Sequence, residues 1–121
     1  MPYYRNNELF DHVQQNGRFP ENRCRFWFRQ ILEAMVRLQK KGVSHRDMSL
    51  ENILVDDDCS VVIDLGMCLF VPLNNNGQRL LMTPQGHCGK YNYMSPEVYQ
   101  NDKNFDGFAI DIWACGCILF T

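Results

Sequence analysis

The sequence has no block of basic residues and no long hydrophobic run. Its 121 residues carry 12 Lys and Arg against 14 Asp and Glu, which gives a formal net charge of −2 at pH 7. Nucleic acid and anionic membrane surfaces are therefore poor candidates for partners, and a protein or a small molecule is the better expectation. No apolar stretch approaches the roughly 18 residues of a membrane span, and no secretory signal pattern is present. We expect a cytoplasmic location, with the nucleus as the alternative.

The sequence also lacks the paired cysteines of a zinc site. Its six cysteines are scattered through apolar stretches, without C-x-x-C pairs or the Cys and His spacing of a structural metal centre. We therefore expect free thiols. Hydrophobic residues make up 45% of the chain and aromatic residues 12%, which is enough to build the core of one domain.

Two helices are predicted in the first third of the chain. Residues Glu8–Gln15 favour a short helix that ends at Asn16-Gly17, and Pro20 opens a longer helix that Gly42 ends. One face of the longer helix carries apolar side chains at helical spacing: Cys24, Trp27, Phe28, Ile31, Leu32, Met35 and Val36. This face is predicted to pack in the core.

A small hairpin is predicted after the second helix, from Asn52–Val55 and Ser60–Asp64, which an acidic turn joins. The segment Gly66–Met94 has no clean period, and its length favours a functional loop. The stretch Asp111–Phe120 is apolar on every side of a helix, which predicts that it is buried on all sides.

Four short motifs occur in a fixed order. They are "HRDMSLEN" at residues 45–52, "DLG" at 64–66, "SPE" at 95–97 and "DIWACG" at 111–116. In this order and at these spacings they resemble the catalytic loop, the D-F-G motif, the A-P-E motif and the D-x-W-x-x-G pattern of eukaryotic protein kinases of the Ser/Thr type. Four ordered matches make coincidence negligible.

The resemblance extends over the whole chain, but the chain corresponds to only part of a kinase domain. It implies an α+β fold, mainly helical, that forms the large C-terminal lobe and is truncated at both ends. Residues 1–7 correspond to the hinge between the lobes, and residues 8–121 to part of the C-terminal lobe. The glycine-rich loop, the strand lysine and the helix-C glutamate belong to the N-terminal lobe, which these residues do not include. We expect the 121 residues alone to be inactive.

For the complete parent protein the resemblance implies an ATP-dependent Ser/Thr kinase that uses Mg²⁺ and acts on protein substrates. Asp47 would accept or orient the substrate hydroxyl, while Asn52 and Asp64 would bind Mg²⁺ and contact the ATP phosphates through it. The simpler alternative for these positions is a surface aspartate or a turn asparagine.

The resemblance also implies contacts with the nucleotide base and ribose. Pro2 stands at the first hinge position, which offers adenine only a carbonyl, and Tyr4 would supply a backbone donor and acceptor. Glu8 matches a residue that contacts the ribose or a basic substrate residue, and Leu9 and Leu54 would pack around adenine. The alternatives are a helix N-terminal acid for Glu8 and ordinary core for the leucines.

Two positions are implied to regulate activity. Arg46 would pair with a phosphate on the activation loop, and Thr83, which a proline follows, is the nearest hydroxyl to the usual phosphorylation region. His45 is not expected to act as a base. The resemblance implies that it packs in the core against Leu65 and is anchored by Asp111.

One departure from the family concerns catalysis directly. The second residue after the catalytic aspartate is usually a lysine that neutralises the transferred phosphate, but here it is Ser49. The family usually has a threonine close to that lysine, and here that position holds Lys90. We interpret this as a reciprocal exchange of the two residues, in which Lys90 would supply the catalytic charge with Ser49 as its hydrogen-bonding neighbour. The alternative is a pseudokinase that binds a nucleotide or a partner without transferring phosphate.

Overall fold

A computed structural model describes residues 8–121 as four helices and two small antiparallel sheets. The helices are α1 (Leu9–Asn16), α2 (Glu21–Lys40), α3 (Pro96–Gln100) and α4 (Gly107–Phe120). The strands are β1 (Val43–Ser44), β2 (Ile53–Val55), β3 (Ser60–Val62) and β4 (Leu69–Phe70). Short 3₁₀ turns occupy Leu50–Asn52 and Tyr91–Tyr93. The predicted mixture of helix with smaller amounts of strand is confirmed for this part of the chain.

Helix α2 is the long central element, and it is placed where the sequence predicted it. Pro20 precedes its first turn, and Gly42, with a φ of +71°, follows its end and donates its N–H to the Gln39 carbonyl. Three apolar residues four apart are buried: Trp27, Ile31 and Met35. Val36 is exposed, so the prediction that it packs with them is wrong. Its side chain lies beyond the edge of the buried stripe.

The predicted hairpin is present as strands β2 and β3, with Ile53 opposite Val62 and Val55 opposite Ser60. Helix α2 holds the turn between these strands. The Trp27 indole Nε1–H donates to the Asp56 carbonyl at 3.1 Å, and Arg23 donates to the Asp57 carbonyl at 2.9 Å. These bonds fix the hairpin, and with it the loops at its two ends, against the helix.

The segment Gly66–Met94 has more regular structure than its sequence indicated. Strand β4 pairs with β1, and an isolated bridge joins Leu73 to Arg79. A second bridge joins Met82 to Phe105, just before α4. Two of these pairings tie the segment to the rest of the fold and the Leu73–Arg79 bridge closes a turn within it, and the tight turns that these contacts require left no period in the sequence.

Helix α4 begins at an N-cap aspartate, Asp106, whose Oδ1 accepts hydrogen bonds from the N–H groups of Phe108 and Ala109. The prediction that it is buried on every side is wrong for the described residues. One face is buried and contains Ile110, Asp111, Ala114, Cys115 and Ile118. The opposite face, with Ile112, Trp113, Leu119 and Phe120, is exposed. An apolar composition shows that a helix can be buried on all sides, but it does not show which neighbouring elements cover each face.

The buried apolar side chains form two clusters. One combines α2 with β2 and the buried face of α4, and the other combines Met82 and Val98 with the start of α4. No helix in residues 8–121 is both long and apolar enough to cross a membrane.

Candidate active site

The side chains of Asp47 and Asn52 meet in the loop between β1 and β2. The Asn52 amide Nδ2 donates to the backbone carbonyl of Asp47 at 2.7 Å and to its carboxylate Oδ2 at 2.9 Å. Asn52 is buried, and the Asp47 side chain is 16% exposed. Asp47 Oδ1 is fully buried and has no hydrogen-bond partner within the protein. The two carboxylate oxygens therefore differ in their contacts: Oδ2 accepts a hydrogen bond from Asn52, whereas Oδ1 accepts none within the protein.

Lys90 reaches this loop from a distant part of the chain. Its ammonium Nζ donates to Ser49 Oγ at 3.0 Å and lies 3.5 Å from Asp47 Oδ2. Ser49 is fully buried, whereas 39% of the Lys90 side chain is exposed. The structure thus brings together the three residues for which a catalytic role was predicted, and the expected hydrogen bond between Lys90 and Ser49 is present.

Gly89 allows this approach. A Cβ atom at this position would lie 2.9 Å from the Arg46 carbonyl oxygen and 3.4 Å from Asp47 Oδ1. Its φ of +85° lies in the left-handed region that favours glycine. No motif in the sequence singled out Gly89, because its role depends on how closely the loop before Lys90 approaches the catalytic loop in the folded chain.

Asp111 of α4 holds the start of the catalytic loop. Its Oδ2 accepts hydrogen bonds from the His45 N–H at 2.7 Å and the Ser44 hydroxyl at 3.1 Å, and its Oδ1 accepts from the Arg46 N–H at 2.9 Å. Burial raises the pKa of Asp111, although these donors lower it in part. Arg46 has a φ of +69°, a strained conformation that the carboxylate helps to hold. Ser44 was not predicted, since no motif includes it.

His45 connects the catalytic loop to the loop that contains Asp64. The Asp47 N–H donates to His45 Nδ1 at 3.3 Å, so the ring proton is on Nε2, which donates to the Ile63 carbonyl at 3.0 Å. His45 is fully buried, as expected. Leu65 is 58% exposed, so the expected packing of His45 in a buried column with Leu65 is not seen.

Strand pairing continues one residue past the hairpin, towards Asn52 and Asp64. The Ile63 N–H donates to the Asn52 carbonyl at 2.9 Å, so Asp64 directly follows the residue that pairs with Asn52. Asp64 is exposed, and its Oδ1 accepts from the Gly66 N–H at 3.1 Å. The Asn52 side chain donates through Nδ2, which leaves its side-chain oxygen, Oδ1, for another contact.

This pair of residues fits Mg²⁺ chemically. Both offer oxygen ligands, which Mg²⁺ prefers, and Mg²⁺ commonly takes only one or two protein ligands together with substrate phosphates and water. Residues 8–121 hold no group of three or more His, Cys, Asp and Glu residues arranged as a metal site. The binding of Mg²⁺ by Asn52 and Asp64 stays a prediction.

The residues expected to bind the nucleotide base are only partly described. Pro2 and Tyr4 lie outside the described residues. Glu8 and Leu54 form an isolated antiparallel bridge, which places them side by side at the start of α1. Leu9 is buried in the larger core cluster, as the alternative of ordinary core for this leucine predicted.

The two expected regulatory residues have no direct contact in the structure. Arg46 Nη1 donates to the Met67 carbonyl at 3.3 Å. Thr83 is exposed, and its hydroxyl accepts a hydrogen bond from the Gln85 side chain at 3.2 Å. A phosphate on Thr83 therefore has no preformed partner at Arg46 in this conformation, and the regulatory role of both residues stays a prediction.

A model of the protein kinase domain matches residues 1–121, and the chain belongs to this family. It is 40% identical over 122 residues to CBL-interacting protein kinase 9 of Oryza sativa subsp. japonica, an alignment that covers 100% of this chain and 26% of the relative. It is 39% identical over 122 residues to CBL-interacting serine/threonine-protein kinase 24 of Arabidopsis thaliana, with 100% and 26% covered. With CBL-interacting serine/threonine-protein kinase 9 of Arabidopsis thaliana the identity is 41% over 116 residues, with 94% and 25% covered. The chain thus spans about a quarter of the length of these relatives.

Proposed function

We propose that the parent protein transfers the γ-phosphoryl group of ATP to Ser or Thr hydroxyls of proteins. We also propose that residues 1–7 form its hinge and residues 8–121 part of its C-terminal lobe. The position of the Lys90 ammonium, between Ser49 and Asp47, is the observation that carries this proposal. A pseudokinase with a decayed site would not be expected to retain a cation at this point, together with Asp47, Asn52 and Asp64.

In the proposed reaction Asp47 acts on the attacking hydroxyl. Its Oδ2 would accept the proton as the substrate oxygen bonds to the γ-phosphorus and the bond from that phosphorus to the bridging oxygen of ADP breaks. The Asn52 amide fixes the carboxylate by donating to both Oδ2 and the backbone carbonyl. Bound Mg²⁺ would supply charge neutralisation at the phosphates, where Asn52 and Asp64 would hold it.

Lys90 would neutralise charge on the phosphoryl group during transfer. Its ammonium is attached to a flexible side chain that is 39% exposed, so it is able to turn from Asp47 towards a phosphate. At about 4 Å and an effective dielectric constant of about 20, one unit charge contributes about 4 kcal/mol, and solvent screening reduces this value. Ser49 would orient the ammonium by accepting its hydrogen bond.

The proposal is tested with a Lys90→Met variant of the complete parent domain. We expect the rate of phosphate transfer to a test protein to fall by about 100-fold, because the variant loses the charge but keeps most of the side-chain volume. Lys103→Met is the matched control, since Lys103 is exposed and lies in the loop before α4. It should leave the rate unchanged.

The exchange itself is tested by restoring the usual arrangement. The double variant Ser49→Lys with Lys90→Thr should recover most of the activity that Lys90→Thr alone loses, because the ammonium returns to the same point from the other loop. Transfer that survives Lys90→Met would contradict the role of Lys90. An unmodified domain that binds ATP but transfers no phosphate would favour the pseudokinase.

A further inference from the structure

A small cavity borders the catalytic loop. Its volume is about 20 Å³. Its polar lining comes from the side chains of Arg46, Asp47, Lys90, Tyr93, Ser95 and Asp111. Its apolar wall comes from Met48, Val98, Ile110 and Ala114. The cavity thus joins the catalytic loop, the "SPE" motif and helix α4.

Three buried polar atoms without a hydrogen-bond partner belong to the residues that line this cavity. They are Arg46 Nε, Asp47 Oδ1 and Ser95 Oγ. Only one other such side-chain atom, Glu51 Oε2, occurs in residues 8–121. A buried polar atom that makes no hydrogen bond costs free energy, and native proteins pair nearly all of them. Three of them around one cavity indicate a shared partner.

The geometry of Ser95 supports this interpretation independently. Ser95 occupies the N-cap position of α3, where a serine side chain normally accepts a hydrogen bond from an N–H group of the first turn. Its side chain makes no such bond, although the residue is only 2% exposed. The Ser95 hydroxyl therefore does not cap the helix. It is free to bind a molecule in the cavity that Ser95 lines.

A water molecule fits the cavity in size and in chemistry. About 10 to 15 Å³ is enough for one water, and buried waters typically make about three hydrogen bonds to groups that would otherwise be unpaired. The Arg46 guanidinium can only donate, the Asp47 carboxylate can only accept, and the Ser95 hydroxyl can do either. One water can accept from Arg46 Nε, donate to Asp47 Oδ1 and donate its second proton to Ser95 Oγ, which satisfies all three atoms.

We propose that this cavity holds an ordered water molecule and that Ser95, acting through it, is a positioning residue for Asp47. The water fixes Oδ1, so that Oδ2 stays turned towards Asn52 and Lys90, where the substrate hydroxyl would arrive. The binding of water depends only on the geometry, whereas its catalytic consequence rests on the proposed kinase function. Ser95 differs here from the alanine of the A-P-E pattern, which has no hydroxyl to contribute.

The water is tested by a crystal structure of the complete parent domain at a resolution of about 1.5 Å, at which ordered waters are resolved. We expect density within hydrogen-bonding distance of Asp47 Oδ1 and Ser95 Oγ. In a Ser95→Ala structure we expect this water to be lost or displaced and the Asp47 carboxylate to rotate. A cavity without density, or an unchanged carboxylate in Ser95→Ala, would overturn the proposal whether or not the domain transfers phosphate.

Kinetics test the positioning role separately. Ser95→Ala should lower kcat by about ten-fold with little change in the KM for ATP, because a misplaced carboxylate slows proton acceptance without altering ATP binding. Ser60→Ala is the matched control: it also removes one hydroxyl, which donates to the Trp27 carbonyl in the hairpin at 3.0 Å. The control should leave kcat unchanged. A Ser95→Ala enzyme with the kcat of the unmodified domain would contradict the positioning role.

Discussion

At Gly89 the addition of a single methyl group should strongly reduce catalysis. In a Gly89→Ala variant the new methyl group would lie 2.9 Å from the Arg46 carbonyl and 3.4 Å from Asp47 Oδ1. The loop carrying Lys90 has to move away, and Lys90 moves with it. We expect transfer by the complete domain to fall by about 100-fold, since displacements of about 1 Å at a catalytic group have effects of this size. The measurement is kcat with a protein substrate.

Gly86→Ala separates the steric effect from backbone strain. Gly86 has a φ of +78°, close to that of Gly89, but no atom lies within 4 Å of the position that its Cβ would occupy. Its replacement should cost about 1 kcal/mol of stability and leave kcat nearly unchanged. If both variants lost activity equally, backbone strain rather than contact with the catalytic loop would be the cause.

Helix α4 and the catalytic loop are coupled through one carboxylate. Asp111 accepts hydrogen bonds from Ser44, His45 and Arg46, so Asp111→Asn replaces one acceptor oxygen by an amide that faces donors. We expect the complete domain to lose about 3 kcal/mol of unfolding free energy. Urea unfolding measures the loss. Asp102→Asn, at an exposed position, is the control and should change stability by less than about 0.5 kcal/mol.

The loss of unfolding free energy caused by Asp111→Asn should also depend on pH. Burial raises the folded-state pKa of Asp111 above its unfolded value, so the folded state binds the proton more tightly. The resulting stabilisation is complete below the unfolded pKa, about 3.9, and is lost as the pH rises through the folded pKa. The difference in stability between the two proteins should therefore be larger at pH 5 than at pH 8. A difference that widens with pH would mean that the hydrogen bonds outweigh burial.

The elements that the sequence predicted well are those whose signals are local. Helix α2 has Pro20 before it and Gly42 after it, and the hairpin follows from β-forming residues on both sides of an acidic turn. The contact between Lys90 and Ser49 was predicted because the two residues depart from the family pattern in a complementary way. The cavity beside Ser95 was not predicted, since it depends on three segments that meet only in the folded chain.

Taken as a whole, the described chain exposes several large apolar side chains on one face of α4. Ile112, Trp113 and Phe120 of α4 are all exposed, Phe120 by 93%. A cavity of about 760 Å³ opens beside this face, and another of about 320 Å³ lies between α1, α2 and the end of α4. Exposed patches of this kind in a folded chain lead to association. Hence the stability of these 121 residues should depend on what covers α4.

The 121 residues expressed alone should self-associate and transfer no phosphate, whereas the complete parent domain should be active. We expect the exposed face of α4 to cause association, and these residues contain no glycine-rich loop or strand lysine to hold the ATP phosphates. Sedimentation and a Mg²⁺-dependent transfer assay, run on both proteins at equal concentration, measure the two properties. Trp113→Glu in the short chain should reduce association without restoring transfer, because it changes only the surface. A monomeric short chain with turnover near the roughly 1 to 100 per second of complete kinases would contradict both parts of the prediction.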